Sequence, residues 1–278
     1  MRLPITAVAA LLLSTTAALS QSQPAPKVAP YTVPGRSLDV LGITMGTTGA
    51  EVLAAVNKEF AGTKYEVRTE KYSQFLMHKG LKVSIEQDPG VIVAEKNDPE
   101  NGQNDTIVFS FSGEGSGNAL VMVKRKMEFR DPLKAVTMND MVKQFTTKFG
   151  EPTPPTPGGF NYGRSANVEH HWLFKNGQHV SENCMKAKVS CGYYRYINEY
   201  NLNWQSGLTY DPQQAADFEV QVTIAPHPRD PEKVGELFMR VLPMKAYVAA
   251  VQQDMAALKK KAEEEHSKSA VSVSAPKL

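Results

Sequence analysis

Apolar residues recur with helical spacing in three segments of the chain, which predicts three amphipathic helices. The first helix covers residues 48–60, where Thr48 and Glu51 match a capping box. The second is capped by Thr137 and stopped by Gly150 before Pro152, and the third covers residues 244–265. The predicted inward-facing residues are Val52, Val56 and Phe60, then Met138, Met141, Val142, Phe145 and Phe149, and finally Val248, Val251, Met255 and Leu258.

Between the helices, apolar and polar positions alternate with a period of two, which predicts short antiparallel strands. Turns are predicted at residues 88–90 and at Asn176-Gly177. The fold class is therefore α+β, with a mainly antiparallel sheet, two short amphipathic helices and a C-terminal helix. A tandem helix-plus-sheet repeat is one interpretation, because the first two helices begin about 90 residues apart; an ordinary α+β protein with two capped helices is the other. The predicted strands cover residues 38–43, 81–85, 91–94, 106–111, 120–129, 169–174, 178–182, 193–197, 218–224 and 236–242.

The N-terminus has the pattern of a secretory signal peptide. Arg2 precedes an apolar run over residues 5–13, and Ala18-Leu19-Ser20 has the small-x-small form of a cleavage site. This run is shorter than the roughly 20 residues that a transmembrane helix needs. We therefore expect cleavage after Ser20 and a soluble periplasmic or secreted protein, with no transmembrane segment and, because no cysteine lies near the cleavage point, no lipid anchor.

The remaining chain divides into three predicted parts. Residues 21–36 are rich in Pro, Gln and Ala and predict a disordered leader. Residues 37–266 predict a single α+β domain, with candidate halves at 37–130 and 131–266 if the repeat interpretation holds. Residues 267–278 predict a disordered tail.

Composition narrows the function classes. Lys and Arg total 31 against 29 for Asp and Glu, so the near-neutral chain lacks the basic surface that nucleic-acid binding requires. The two cysteines, Cys184 and Cys191, are predicted to form one disulfide in an oxidising compartment. The loop they close is short, so the bridge would stabilise the fold by about 2.5 kcal/mol.

Three segments carry a resemblance to known proteins. Residues 39–52, with Leu41-Gly42-Ile43 leading through a Gly turn into a helix, resemble a strand-to-helix motif of uncharacterised exported proteobacterial proteins. Residues 148–153, around Gly150 and Pro152, resemble the Lys-Tyr-Gly-x-Pro closure of the same proteins, as does Trp172-Leu173-Phe174 before a cysteine. More remotely, this arrangement is similar to small outer-membrane assembly lipoproteins and to the repeats of β-lactamase inhibitor proteins. The resemblance implies an interaction module, covers about thirty residues, departs from the lipoproteins in lacking their lipid-attachment cysteine, and carries no functional residue.

Glu169-His170-His171 and His179 form the densest group of candidate metal ligands, for Zn²⁺ or Cu²⁺. With a two-residue turn at Asn176-Gly177, His170 and His171 point to opposite faces of the sheet. His170 and His179 share a face but lie about 13 Å apart along the strands, too far to share an ion. A cross-strand pair of His171 with Glu182 is therefore the preferred interpretation, and no cofactor or metal ligand is predicted.

Other polar segments match structural roles better than catalytic ones. The glycine-rich residues 113–117 join two strands and predict a flexible hairpin loop, because no helix follows them to bind phosphate. Residues 98–105 are rich in oxygen ligands but do not match an EF-hand, so a solvated turn is preferred over a Ca²⁺ site. Lys124 and Lys126 should face one side of a strand and Arg125 the other. No nucleophile motif is present.

An aromatic group after Cys191 is the candidate binding surface, because tyrosine and tryptophan are enriched where proteins bind partners. The alternative places Tyr194 and Tyr196 inside the sheet. The sequence therefore predicts a secreted or periplasmic non-catalytic binding or envelope accessory protein with a protein partner in the cell envelope. The alternative function is an exported hydrolase or metal-dependent enzyme whose site is assembled from distant residues. The predicted surface comprises Tyr193, Tyr194, Tyr196, Tyr200 and Trp204.

Overall fold

The computed structural model describes Val33, residues 38–155, residues 167–189, Tyr200, Asp211 and residues 213–271; for residues 269–271 it describes the backbone alone. The described helices are α1 (Gly49–Glu59), α2 (Met138–Phe149), α3 (Cys184–Ala187) and α4 (Met244–Val271). The described strands are β1 (Glu66–His78), β2 (Leu81–Asp98), β3 (Gln103–Phe111), β4 (Leu120–Phe129), β5 (Val168–Lys175), β6 (Gln178–His179), β7 (Phe218–His227) and β8 (Asp230–Leu242).

The strands form one eight-stranded antiparallel sheet in the order β1-β2-β3-β4-β8-β7-β5-β6. The predicted α+β fold class is confirmed. Each candidate half begins with a helix that is followed by antiparallel strands: β1 to β4 form a meander, whereas β5 lies between β6 and β7, and β4 pairs with β8 to join the two sets into a single sheet. Whether the halves arose by duplication stays a prediction.

A first hydrophobic core lies on the sheet face that α1 and α2 cover. The Thr48–Glu51 capping box predicted for α1 is present, and Val52 and Val56 of this helix are fully buried. They pack in one cluster with sheet residues such as Ile92 and Phe109. Capped helices with apolar stripes form here because packing against the sheet supplies the stability that short isolated helices lack.

A second hydrophobic core lies on the opposite face, beneath α4. Tyr247, Val251 and Leu258 of α4 are fully buried and pack against Val83 and Ile85 of β2. Side chains alternate between the two faces along β2. Val83 and Ile85 therefore pack into the second core, while Ile92 and Ala94 pack into the first. The predicted inward face of the third helix is confirmed.

Three local predictions are wrong. Residues 38–43 form a tight turn instead of a strand, because Leu41 and Gly42 adopt positive φ angles and Val40 bonds Ile43 across the turn. The chain does not reverse at residues 88–90: β2 continues through the cis Asp88–Pro89 bond. Residues 180–182 are not part of a strand, since β6 ends at His179.

β1 had no counterpart in the sequence prediction. Its thirteen residues are mostly exposed, so they lack the apolar alternation that marks a half-buried strand. At the two ends of the domain, Val33 is buried in the first core and α4 continues to Val271, while the predicted leader and tail stay predictions. No residue between 267 and 271 is a proline or glycine that would stop the helix. No helix within the described residues is both long and apolar enough to cross a membrane.

Candidate functional site

An open groove of about 530 Å³ lies between α2 and the outer part of β5. Two rows of α2 side chains line it with i, i+4 spacing, and the residue after the helix end and two β5 residues complete it. Each row extends over eight helical rises of 1.5 Å, which is about 12 Å, so the groove is elongated along α2. The lining residues are Met138, Val142 and Thr146, then Asn139, Lys143 and Thr147, with Glu151, Val168 and His170.

The ends of α2 and one tryptophan fix the groove in place. The Asp140 N–H donates to the Thr137 hydroxyl at 3.1 Å, which begins α2 as predicted, and Gly150 ends it. Trp172 of β5 is fully buried, and its indole N–H donates to the Gly150 carbonyl at 2.6 Å. Its ring packs on Phe149 with centroids 5.8 Å apart. The helix is therefore held against β5 from below the groove.

The groove combines apolar, neutral polar and charged groups. Val168 is 38% exposed, so it contributes apolar surface to the groove. Burial lowers the pKa of His170, with a smaller effect from the charge of His171, so the His170 imidazole is neutral at pH 7 and both donates and accepts hydrogen bonds. Lys143 and Glu151 supply one charge of each sign. Such a surface suits a mixed polar and apolar ligand.

A charged cluster centred on His171 lies on the opposite face of β5. Its Nδ1 is 2.8 Å from the Glu219 carboxylate and its Nε2 is 2.9 Å from that of Glu169. Arg240 lies 3.3 Å from Glu219, and both of these side chains are almost completely buried. Burial disfavours the imidazolium, but the two carboxylates outweigh it and raise the pKa of His171 to about 9. The same cluster holds the pKa of Glu219 below its usual range against the effect of burial.

The structure confirms the predicted orientation of the histidines on β5 but not the predicted partner of His171. His170 and His171 do face opposite sides of the sheet, and Phe174 pairs with His179 as expected from the Asn176-Gly177 turn. The predicted pair of His171 with Glu182 is wrong, because Glu219 of the neighbouring strand β7 and Glu169 hold the imidazole. Among the described residues, no group of His, Cys, Asp and Glu side chains is arranged to hold a metal ion.

A buried carboxylate, Asp254 of α4, binds the glycine-rich segment. Its Oδ2 accepts hydrogen bonds from the Gly113 N–H at 2.7 Å, from the Ser116 hydroxyl at 3.0 Å and from the Tyr200 hydroxyl. A Cβ atom on Gly115 would lie 2.9 Å from Asp254 Oδ1, so this segment needs glycine to approach α4. Burial raises the pKa of Asp254 even though these donors favour its charged form.

The segment of residues 113–117 therefore differs from the predicted flexible loop. Residues Glu114–Ser116 form a single 3₁₀ turn that is fixed to α4 through Asp254. This contact joins the β3–β4 connection to the C-terminal helix across the second core. The sequence did carry a signal for it: Asp254 lies between Val251 and Leu258 on the predicted inward face of α4.

Tyr200 is the one member of the predicted aromatic surface that the structure describes. Only 4% of it is exposed, and its ring packs edge-on against Tyr247 with centroids 5.4 Å apart. This residue belongs to the second core and not to an exposed binding surface. The other four residues, Tyr193, Tyr194, Tyr196 and Trp204, lie outside the described residues.

Cys184 is buried at the start of α3, and Cys191 lies outside the described residues, so their disulfide stays a prediction.

Two aspartates of the segment of residues 98–105 bind cationic side chains of the protein itself. Asp98 is 3.2 Å from the Lys64 ammonium, and hydrogen bonds from Asn101 keep the pKa of Asp98 well below its usual range. Arg125 binds Asp105 at 2.6 Å.

The comparisons with known proteins do not assign this chain to a family. A scan against protein-family models, a search of curated proteins and a search of solved structures each gave no match. Neither the strand-to-helix motif nor the remote likeness to lipoproteins and inhibitor repeats is tested by them.

Proposed function

We propose that this protein is an exported, non-catalytic binding protein of the cell envelope, and that the α2–β5 groove holds an extended segment of a protein partner. The observation that carries the proposal is the shape and lining of the groove. Its length of about 12 Å along α2 matches three to four residues of extended chain. Its neutral imidazole and hydroxyl groups suit backbone amides, while Met138, Val142 and Val168 suit an apolar side chain.

Export rests on the N-terminal pattern, with cleavage after Ser20 and a periplasmic or secreted mature chain. The proposed disulfide between Cys184 and Cys191 fits the same compartment, because oxidising conditions favour it. The resemblance to exported proteobacterial proteins and to interaction modules supports the same assignment.

The alternative is an exported hydrolase or metal-dependent enzyme. Such a site would need His170, His179 or His227 beside two carboxylates in one cleft. In the described part of the chain, the groove brings His170 together with Glu151 as its carboxylate. The enzyme would need a second carboxylate beside His170, whereas the binding proposal needs only the residues that line the groove, so we prefer the binding proposal.

The test is site-specific photo-crosslinking of the mature chain, residues 21–278, in envelope extract. A photoreactive residue at Thr146 is expected to capture one protein, and Val168→Glu in the same chain is expected to abolish that capture. The matched control is Leu133→Glu, which places the same charge on a residue that is 91% exposed elsewhere. Metal is quantified on the same preparation: one metal ion per chain with no captured protein would overturn the proposal and favour the enzyme.

A further inference from the structure

The charged side chains of α2 and of the two residues that follow it fall into two classes. This stretch carries four of them, and two bind groups of the protein itself. The Thr137 hydroxyl donates to the Asp140 carboxylate at 2.7 Å, and the Lys148 ammonium lies 3.3 Å from the carboxylate of Asp39. The other two charged side chains line the α2–β5 groove.

These two groove charges belong to Lys143 and Glu151, and both residues are exposed. Within the described part of the chain, neither side chain forms an ion pair or a hydrogen bond with another residue. Charges that line a groove without a partner are available to opposite charges on a ligand, and such pairing selects one ligand over another. The groove therefore has a charge pattern in addition to its apolar and neutral lining.

The two charges lie in one row of α2 positions with i, i+4 spacing. Lys143 precedes Glu151 by eight residues, which is about 12 Å along the helix axis. Thr147 lies between them, and its hydroxyl donates to the Lys143 carbonyl at 2.8 Å, so it can only accept a hydrogen bond from a ligand. The carbonyl groups at the end of α2 add partial negative charge. The row is thus positive at Lys143 and negative towards Glu151.

We propose that the partner segment in this groove carries an acidic residue that pairs with Lys143 and, four positions away, a basic residue that pairs with Glu151. Side chains four positions apart in an extended chain lie on one face and about 13 Å from each other. This spacing matches the distance between the two groove charges along α2. The inference rests on the proposed function, because it names the chemistry of the ligand for the same groove.

The apolar lining determines which end of the segment is hydrophobic. Met138 lies five residues before Lys143, on the side away from Glu151. An apolar residue two positions beyond the acidic one shares its face in an extended chain and lies towards Met138. A segment with two charges of one sign would instead bring a like charge to one of the two groove charges, which opposes binding. The expected order along α2 is therefore apolar, acidic, basic.

Titration of the mature chain, residues 21–278, with synthetic peptides tests the proposal. The probe is a blocked seven-residue peptide of serine and threonine with leucine at one end, glutamate two positions on and lysine at the other end, made in both chain directions. Companion peptides carry two glutamates, two lysines, two glutamines or the exchanged charges. In nuclear magnetic resonance titrations the probe should bind the wild type about two- to five-fold more tightly than each companion, as exposed ion pairs allow. Salt at about 1 M should remove most of this difference.

Charge reversals in the groove should change which peptide binds best. Lys143→Glu should favour the two-lysine peptide and Glu151→Lys the two-glutamate peptide, because the groove then carries charges of one sign. The double variant should again prefer mixed charges, now with the leucine beside the lysine. Lys260→Glu, at an exposed lysine of α4, is the matched control and should keep the wild-type preference.

Peptide affinities for the wild type that do not depend on charge would overturn the inference, as would a set of peptides of which none binds. A preference that stays unchanged in Lys143→Glu and Glu151→Lys would overturn it as well. In each of these cases, photo-capture of a protein from Thr146 that is lost in Val168→Glu would leave the proposed binding function standing. Absence of that capture would overturn both.

Discussion

The His171 cluster predicts that this protein loses stability as the pH rises above neutrality. Both ring nitrogens lie within 3 Å of a carboxylate oxygen, at 2.8 Å from Glu219 and 2.9 Å from Glu169. A carboxylate can only accept, so each nitrogen must donate and the imidazole carries a positive charge. The folded protein therefore holds a proton that the unfolded chain releases near its ordinary pKa.

The magnitude follows from the two pKa values. The His171 pKa is about 9 in the folded protein against 6.5 as the ordinary value, and one pH unit corresponds to about 1.4 kcal/mol. A pKa raised by folding contributes stability that is complete below pH 6.5 and is lost as the pH rises through 9. The free energy of unfolding should therefore fall by about 3 kcal/mol between pH 6 and pH 10.

Urea unfolding of the wild type and of His171→Gln over this pH range measures the effect. The variant should be less stable at pH 6 by about 3 kcal/mol, because the buried Glu219 loses one of its two cationic partners. Its stability should change little between pH 6 and 10 from this source, so the two curves converge at alkaline pH. His78→Gln is the matched control, since His78 lies on β1 near the opposite edge of the sheet.

A nuclear magnetic resonance titration assigns the proton directly. One imidazole should titrate near pH 9 in the wild type, and that signal should be absent from His171→Gln. Parallel stability curves for the wild type and His171→Gln would refute the reasoning, as would a histidine spectrum with no member titrating above pH 8.

Three further predictions concern stability. Tyr200→Phe should lower the free energy of unfolding by about 1.5–3 kcal/mol, because it removes a hydrogen-bond donor to the buried Asp254 carboxylate. Tyr72→Phe, at an exposed tyrosine, should change this free energy little, and chemical denaturation compares the two variants. Trp172→Ala should cost about 3–5 kcal/mol, seen as a lower urea midpoint, since the ring is fully buried. Replacing Cys184 and Cys191 by Ser should cost about 2.5 kcal/mol, and the denatured, unreduced wild type should take up no thiol label if the disulfide is present.

Helices with a local cap and an apolar stripe could be predicted from the sequence. Thr137, Gly150 and the stripe of α2 are signals within a few residues of each other, so they needed no knowledge of the rest of the fold. β4 was predicted with its correct bounds, because its run of apolar residues, buried on both faces of the sheet, is also a local signal. β1 was missed because its exposed edge position removes the apolar alternation.

The polar clusters could not be predicted completely because their partners are distant in sequence. His171 was recognised as unusual, but Glu219 lies on β7, and its proximity depends on the pairing of β5 with β7. Gly113 and Asp254 are likewise far apart in sequence and meet only because α4 returns across the sheet. The groove depends on how α2 packs against β5, which local spacing does not determine.

The two hydrophobic cores lie on opposite faces of the same sheet, and this divides the molecule into units that can open separately. Release of α4 would expose Val83 and Ile85 and break the bonds to Asp254, yet it would leave Ile92 and Phe109 covered by their own helices. Native-state hydrogen exchange should therefore separate α4 from α1 and α2 as distinct cooperative units. The C-terminal helix could then open while the opposite face of the sheet, with α1, α2 and the α2–β5 groove, remains folded.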